Sequence, residues 1–228
     1  MLKKSVNKFA KYLVLLGVNS ALAILLLMVV SFYSHNFSFL YFIWNLFLSW
    51  IPLALSIILI LVLRKKLWSS WLALGLSFFW IIFIPNSFYM ISDFIHLIDV
   101  PVNDLLYFAI AFSAIIYSAS INGYFSLYLI HREFYKRFSL KTSWIAVAVI
   151  CLVSSYAIYI GRVLRWNSWD MILNPGGVLF DISDTLLHFN SLKNALFTSL
   201  MFFILIFSIY ILFFVGLRFL RSSNLSDK

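Results

Sequence analysis

Two stretches of this chain combine residue types capable of chemistry with spacings that bring them to one face of a helix. In residues 85–99, Asn86, Tyr89, Asp93 and His96 fall at intervals of three, four and three. On a helix that spacing makes one polar stripe along an otherwise apolar rod. Facing inward, Asp93 and His96 are an acid/base pair or two metal ligands. On a segment lying flat in an interface they are only its wet side, with Phe88, Ile91, Phe94 and Ile95 in lipid or in the bundle. In residues 161–170, Arg162 and Arg165 stand three apart, followed by Asn167, Ser168, Trp169 and Asp170. Guanidinium groups recognise phosphate or carboxylate bidentately. Arginines beside Trp166 and Trp169 also suit a membrane-interface belt. Paired instead with Asp93 or Asp99, they would lock the two stretches together.

A third set, Asp181, Asp184 and His188, is spaced three and four. With Asp93 and His96 it could complete an oxygen- and imidazole-rich site for a divalent metal. Otherwise it is the polar side of an amphipathic run, residues 178–189, lying along the outer surface. Asn174-Pro175-Gly176-Gly177 before it reads as a turn.

The elements that position these groups follow from composition. Of 228 residues, 64% are hydrophobic, 20% aromatic and 11% charged. Soluble domains carry about 45–50% apolar and about 25% charged residues, and this chain has too little polar surface to cover a globule in water. A soluble enzyme, a disordered tail and a disulfide-stapled secreted domain are excluded; the solvent is a bilayer. Crossing it takes about 20 apolar helical residues. Six stretches meet that need: residues 12–32, 39–63, 68–84, 105–130, 144–160 and 195–219. Pro85 is expected to end or kink the third. The reading is an all-α integral membrane protein, one six-helix bundle with amphipathic outer-loop segments. The first run resembles a signal peptide, with Lys3, Lys4, Lys8 and Lys11 before it and an A-x-A-like site at Ser20-Ala21-Leu22-Ala23. It continues through Ile24 to Val30, so it reads as a retained span.

Net charge is +9, but nucleic acid is not the implied partner, because the basic residues punctuate apolar runs. Fourteen of the 17 Lys and Arg, Arg221 and Lys228 among them, fall at the N-terminus, after spans two and four, and at the C-terminus. That side is expected to be cytoplasmic, with both termini on it. Six of the eight acids, with Arg162, Arg165 and Lys193, fall on the opposite side. Cys151 is the single cysteine and closes no intrachain disulfide. No acid or base sits near a span centre, which argues against ion-coupled transport. No P-loop, GxSxG, HExxH or Gly-rich nucleotide motif occurs.

Pro85-Asn86, Tyr89, Asp93 and His96-Leu97, together with Gly161-Arg162, Arg165 and Asn167-Ser168-Trp169-Asp170, resemble the two signatures of an uncharacterised bacterial multi-pass membrane family, domain of unknown function 1361. The resemblance implies a bacterial cytoplasmic-membrane protein and carries no activity with it. From the residues themselves, the first expectation is a polar site on the outer membrane face for an anionic lipid headgroup or envelope precursor. In it Asp93, His96 and Asp170 would do acid/base or metal work, while Asn86, Tyr89, Arg162, Arg165, Asn167 and Trp169 bind. A non-enzymatic membrane partner or assembly factor is the alternative, and a small-solute permease through the serines of span four the third.

Overall fold

The computed structural model describes the backbone of residues 2–226 and the side chains of residues 10–219; the side chains of Lys3, Lys4, Lys8, Arg221 and Lys228 lie outside the described residues. Long apolar runs become long helices because backbone groups in lipid have no partner but one another. They are α1 (Leu2–Tyr33), α2 (Tyr41–Leu63), α3 (Trp71–Tyr89), α4 (Leu105–Tyr135), α5 (Leu140–Arg162) and α8 (Phe189–Ser226). Each is long and apolar enough to cross a membrane. Between them lie two 3₁₀ segments, Met90–Asp99 and Val102–Asp104, and two short helices, α6 (Asp170–Leu173) and α7 (Pro175–Leu187). Among the described residues there is no strand.

Helix α4 is the axis of the bundle, packing against α1, α2, α3, α5 and α8. Its small polar residues are buried and tie those neighbours together. Ser118 bonds Ser20 of α1 at 3.0 Å, and Asn122 Nδ2 donates to Ser49 Oγ of α2 at 3.0 Å. Ser126 Oγ donates to the Pro52 carbonyl at 2.9 Å and accepts from Trp80 Nε1 of α3 at 2.8 Å. Without a hydrophobic drive between helices in lipid, close packing and such bonds supply the association. At Gly123 the approach of α3 is closest, since a Cβ there would stand 2.6 Å from Ser87 Cβ.

The structure differs from the sequence expectation at two prolines. Helix α3 does not end at Pro85; it runs through that buried residue to Tyr89. Only then does it tighten into a ten-residue 3₁₀ helix. A proline removes one backbone bond and leaves the rest of the helix intact when neighbours support it. Asn174-Pro175-Gly176-Gly177 is likewise no turn but the start of α7. The Asn174 side chain caps it by accepting from Gly177 N at 3.1 Å, with Pro175 in the first turn, where a missing N–H costs nothing.

The two ends of the bundle are chemically unlike. At one end, Arg137 lies over the Trp68 ring at 5.3 Å and pairs with Glu133 at 2.8 Å. His131 is buried there among Tyr135, Trp144, Tyr210 and Phe214, and bonds Tyr210 Oη at 2.7 Å. At the other end stand the residues in which the sequence suggests chemistry.

Candidate functional site

The 3₁₀ segment Met90–Asp99 sets the geometry. With three residues per turn, positions three apart eclipse one another, so Met90, Asp93, His96 and Asp99 share one edge. That edge climbs from the core towards the surface. Met90 is fully buried, the Asp93 side chain is 1% exposed, that of His96 29% and that of Asp99 59%. The polar stripe therefore faces the bundle at its inner end and opens outward at the other.

Arg162, the last residue of α5, reaches across to this edge and uses nearly every donor it has. Its Nη2 forms an ion pair with Asp93 Oδ1. Nε and Nη2 donate to Ser92 Oγ at 2.9 and 2.7 Å, and Nη1 faces His96 Nε2 at 3.2 Å. The guanidinium also lies over the Tyr89 ring, 4.7 Å from its centroid. Asn45 Nδ2 of α2 donates to the second Asp93 oxygen at 3.4 Å. Gly161 leaves room for the Tyr89 ring, whose Cε2 would be 3.0 Å from a Cβ there. Ser168 Oγ donates to Asn86 Oδ1 at 2.8 Å. Residues of the two sequence stretches thus bond pairwise, Asn86 to Ser168 and Tyr89, Ser92, Asp93 and His96 to Arg162, and form one unit.

These contacts fix the state of His96. A guanidinium can only donate, so Nε2 accepts and the ring proton sits on Nδ1, from which it is donated to Asp99 Oδ2 at 3.2 Å. Both ring nitrogens are engaged. The ring meets Tyr41 and Phe42 of α2 edge-on, at centroid separations of 5.9 and 6.2 Å.

Beyond this network lies a cleft of about 460 Å³, lined by Tyr89, Ile95, His96, Ile98, Asp99, Gly161, Arg162, Arg165 and Asn167. Arg165 is its distinctive member. Its backbone is in the left-handed region at φ 62°, a conformation that costs an L-residue other than glycine about 1–2 kcal/mol. Trp166 N–H donates back to the Ile160 carbonyl at 3.4 Å, so the chain reverses sharply there. Arg165 is exposed, and among the described residues its side chain has no hydrogen bond or ion pair. Arg162, by contrast, is neutralised by Asp93.

The structure assembles part of the expected site and disperses the rest. Tyr89, His96, Arg162, Arg165 and Asn167 meet at the cleft, and Asp93 and Asn86 lie in the network behind it. Asp170 is not on the cleft; it accepts from Asn167 N–H at 2.6 Å and closes its own turn. Trp169 precedes α6 without a side-chain capping bond and is not among the residues lining the cleft. The divalent-metal set is corrected: among the described residues no group of three or more His, Cys, Asp or Glu could hold a metal ion. Asp181 instead accepts from Trp166 Nε1 at 2.7 Å, fastening α7 to the loop that carries Arg165. Asp184 pairs with His188 at 3.4 Å on the exposed side of the same helix. The metal reading joined residues of one local helix to a distant pair, and the fold does not gather them into one group among the described residues.

Three participants escape sequence reasoning. Ser92 sits within the stretch but off its three-four-three pattern, whereas a strict spacing of three would have found Asp99. Asn45 and Tyr41 stand about fifty residues upstream, where no local pattern announces a tertiary partner. Serines of α4 that a solute passage would use, Ser118 and Ser126, are occupied between helices as described above.

Neither curated proteins nor solved structures offer a match to this chain. One family model does, described as "Protein of unknown function (DUF1361)", over residues 44–212. That range takes in most of α2 through most of α8 and every side chain bonded to Arg162, and on it the chain belongs to the DUF1361 family.

Proposed function

We propose that this protein is a membrane binding protein whose cleft receives the phosphate of a lipid headgroup or lipid-linked envelope precursor at the outer membrane-water boundary. The observation that carries the reading is Arg165: an exposed cation without a partner among the described residues, held over a cleft in a left-handed backbone conformation that the surrounding structure sustains. Strain of this kind persists where the fold over-determines it, and clusters at ligand sites. Asn167 on the same loop adds donors for the remaining oxygens. Binding is favoured over catalysis because Asp93 is spent on Arg162 and both nitrogens of His96 are engaged.

Substitution of Arg165 by glycine tests this directly. Glycine adopts the left-handed conformation without penalty, so Arg165→Gly is expected to melt within about 1 kcal/mol of the parent protein. Retention of phosphate-bearing lipids through purification is expected to fall about tenfold, the loss of one charge-assisted contact. Undiminished lipid retention at equal stability would contradict the proposal.

Orientation follows the basic residues: the end bearing Lys65, Lys66, Lys136 and Arg137 is assigned to the cytoplasm and the cleft to the outside of a bacterial plasma membrane. The native Cys151 is buried and silent to impermeant thiol reagents. Val102→Cys, at a position 86% exposed near the cleft, is expected to label in intact cells; Leu67→Cys, at a position 78% exposed at the other end, only after permeabilisation. The reverse pattern would invert the assignment.

A further inference from the structure

We infer that the headgroup received by the cleft is zwitterionic, a phosphate carrying a primary ammonium, rather than simply anionic. The inference rests on the reading of the cleft as a phosphate site and specifies its ligand. It follows from the balance of charge. Asp93 and Arg162 cancel each other in the network behind the cleft. His96 is neutral, its single ring proton on Nδ1. Among the described residues, what remains facing the opening is one cation, Arg165, and one carboxylate, Asp99, 59% exposed and held by the His96 ring.

A purely anionic headgroup placed on Arg165 would share the cleft with an uncompensated carboxylate. A phosphoethanolamine group meets both charges, its phosphate on Arg165 and Asn167 and its ammonium on Asp99, where three N–H donors can use the free carboxylate lone pairs. A quaternary ammonium cannot donate those bonds. Ile95 and Ile98, 53% and 80% exposed at the rim, give the adjoining glycerol and acyl chain an apolar landing, so the ligand is the lipid rather than the free phosphoamine.

The test is a competition on the full chain in detergent, read by native mass spectrometry. Phosphatidylethanolamine, phosphatidylcholine and phosphatidylglycerol of identical acyl chains are offered at equal concentration. The parent protein is expected to prefer the ethanolamine lipid by about threefold, the worth of one solvent-exposed ion pair. Asp99→Asn is expected to erase that preference while keeping the phosphoglycerol lipid, and Asp99→Glu to retain it. Free phosphoethanolamine is expected to bind at least about tenfold more weakly than the lipid; equal binding would overturn the lipid assignment. A parent preference for phosphatidylglycerol, or a preference unchanged in Asp99→Asn, overturns the zwitterionic ligand while leaving the phosphate reading intact. If Arg165→Gly also retains all three lipids, the phosphate reading itself has failed.

Discussion

Replacing Arg162 by alanine is expected to destabilise the protein by about 3–5 kcal/mol, because it strands the Asp93 carboxylate inside the bundle. Asp93 is 1% exposed, and with Arg162 gone its remaining side-chain partners are Asn45 at 3.4 Å and the His96 ring, whose Nε2 is 4.0 Å from Oδ1. The same substitution leaves His96 Nε2 without its donor, takes the guanidinium bonds from Ser92 Oγ and removes the cation from the Tyr89 face. Arg162→Lys does not substitute, since a single ammonium cannot serve Asp93, Ser92 and His96 together or lie flat on the ring. Asp93→Asn costs less, because Arg162 is 22% exposed and can turn towards water. The double variant Asp93→Asn/Arg162→Gln is expected to be more stable than Arg162→Gln alone, with a coupling of at least about 1 kcal/mol. Thermal unfolding of the four proteins in one detergent measures this. Additive losses would mean that the two sequence stretches are not energetically joined.

The second large effect is expected at Gly123, where α4 meets α3 inside the bundle. A Cβ on this residue meets Ser87 Cβ at 2.6 Å and the Phe88 ring at 3.0 Å. Ser87 Cβ is one bond from the backbone and cannot swing away, so α3 and α4 must separate. Gly123→Ala is expected to cost about 1–3 kcal/mol, the usual range for forcing atoms into a packed interface, and Gly123→Leu more. Because α3 leads directly into the 3₁₀ segment, moving it also displaces Tyr89 and Asp93 from Arg162. Ser87→Gly removes the closer of the two clashes and is expected to restore part of the loss in Gly123→Ala, at the expense of the 3.3 Å bond from Ser87 Oγ to the Ser49 carbonyl. Melting temperature in detergent and monodispersity on size exclusion report both effects. A silent Gly123→Leu would show that the helices are not in the close contact described.

Much of the fold is legible in the sequence for one physical reason: lipid forces apolar runs into helices, so counting apolar residues counts spans. All six expected spans overlap the observed helices, and even the third, expected over 68–84, differs only in starting at Trp71 and continuing past Pro85 to Tyr89. The partnership of the two polar stretches is also legible, because an acid, a histidine and two arginines at the ends of apolar runs need each other when taken from water. What escapes is whatever depends on exact backbone geometry. A spacing of three suits α and 3₁₀ helices alike, and only the 3₁₀ form of Met90–Asp99 puts Asp99 in line with Asp93 and His96. Nothing about arginine advertises a left-handed backbone, so the division of labour between Arg162, satisfied by Asp93, and Arg165, exposed at the cleft, was hidden. Asp170 and Asp181 look like candidates for chemistry because carboxylates do; backbone N–H and indole N–H groups nearby claim them first. Distance along the chain concealed Asn45 and Tyr41.

The central claim, that the cleft between the 3₁₀ segment and the loop after α5 holds the phosphate end of a lipid, is tested most directly by photo-crosslinking with a phospholipid carrying its reactive group on the headgroup. Peptide mapping is predicted to find the adducts on Met90–Asp99 and on residues 161–170, and to lose them in Arg165→Gly. Adducts concentrated instead on the basic segment around Lys136, Arg137 and Lys141, and unchanged by Arg165→Gly, would contradict the account.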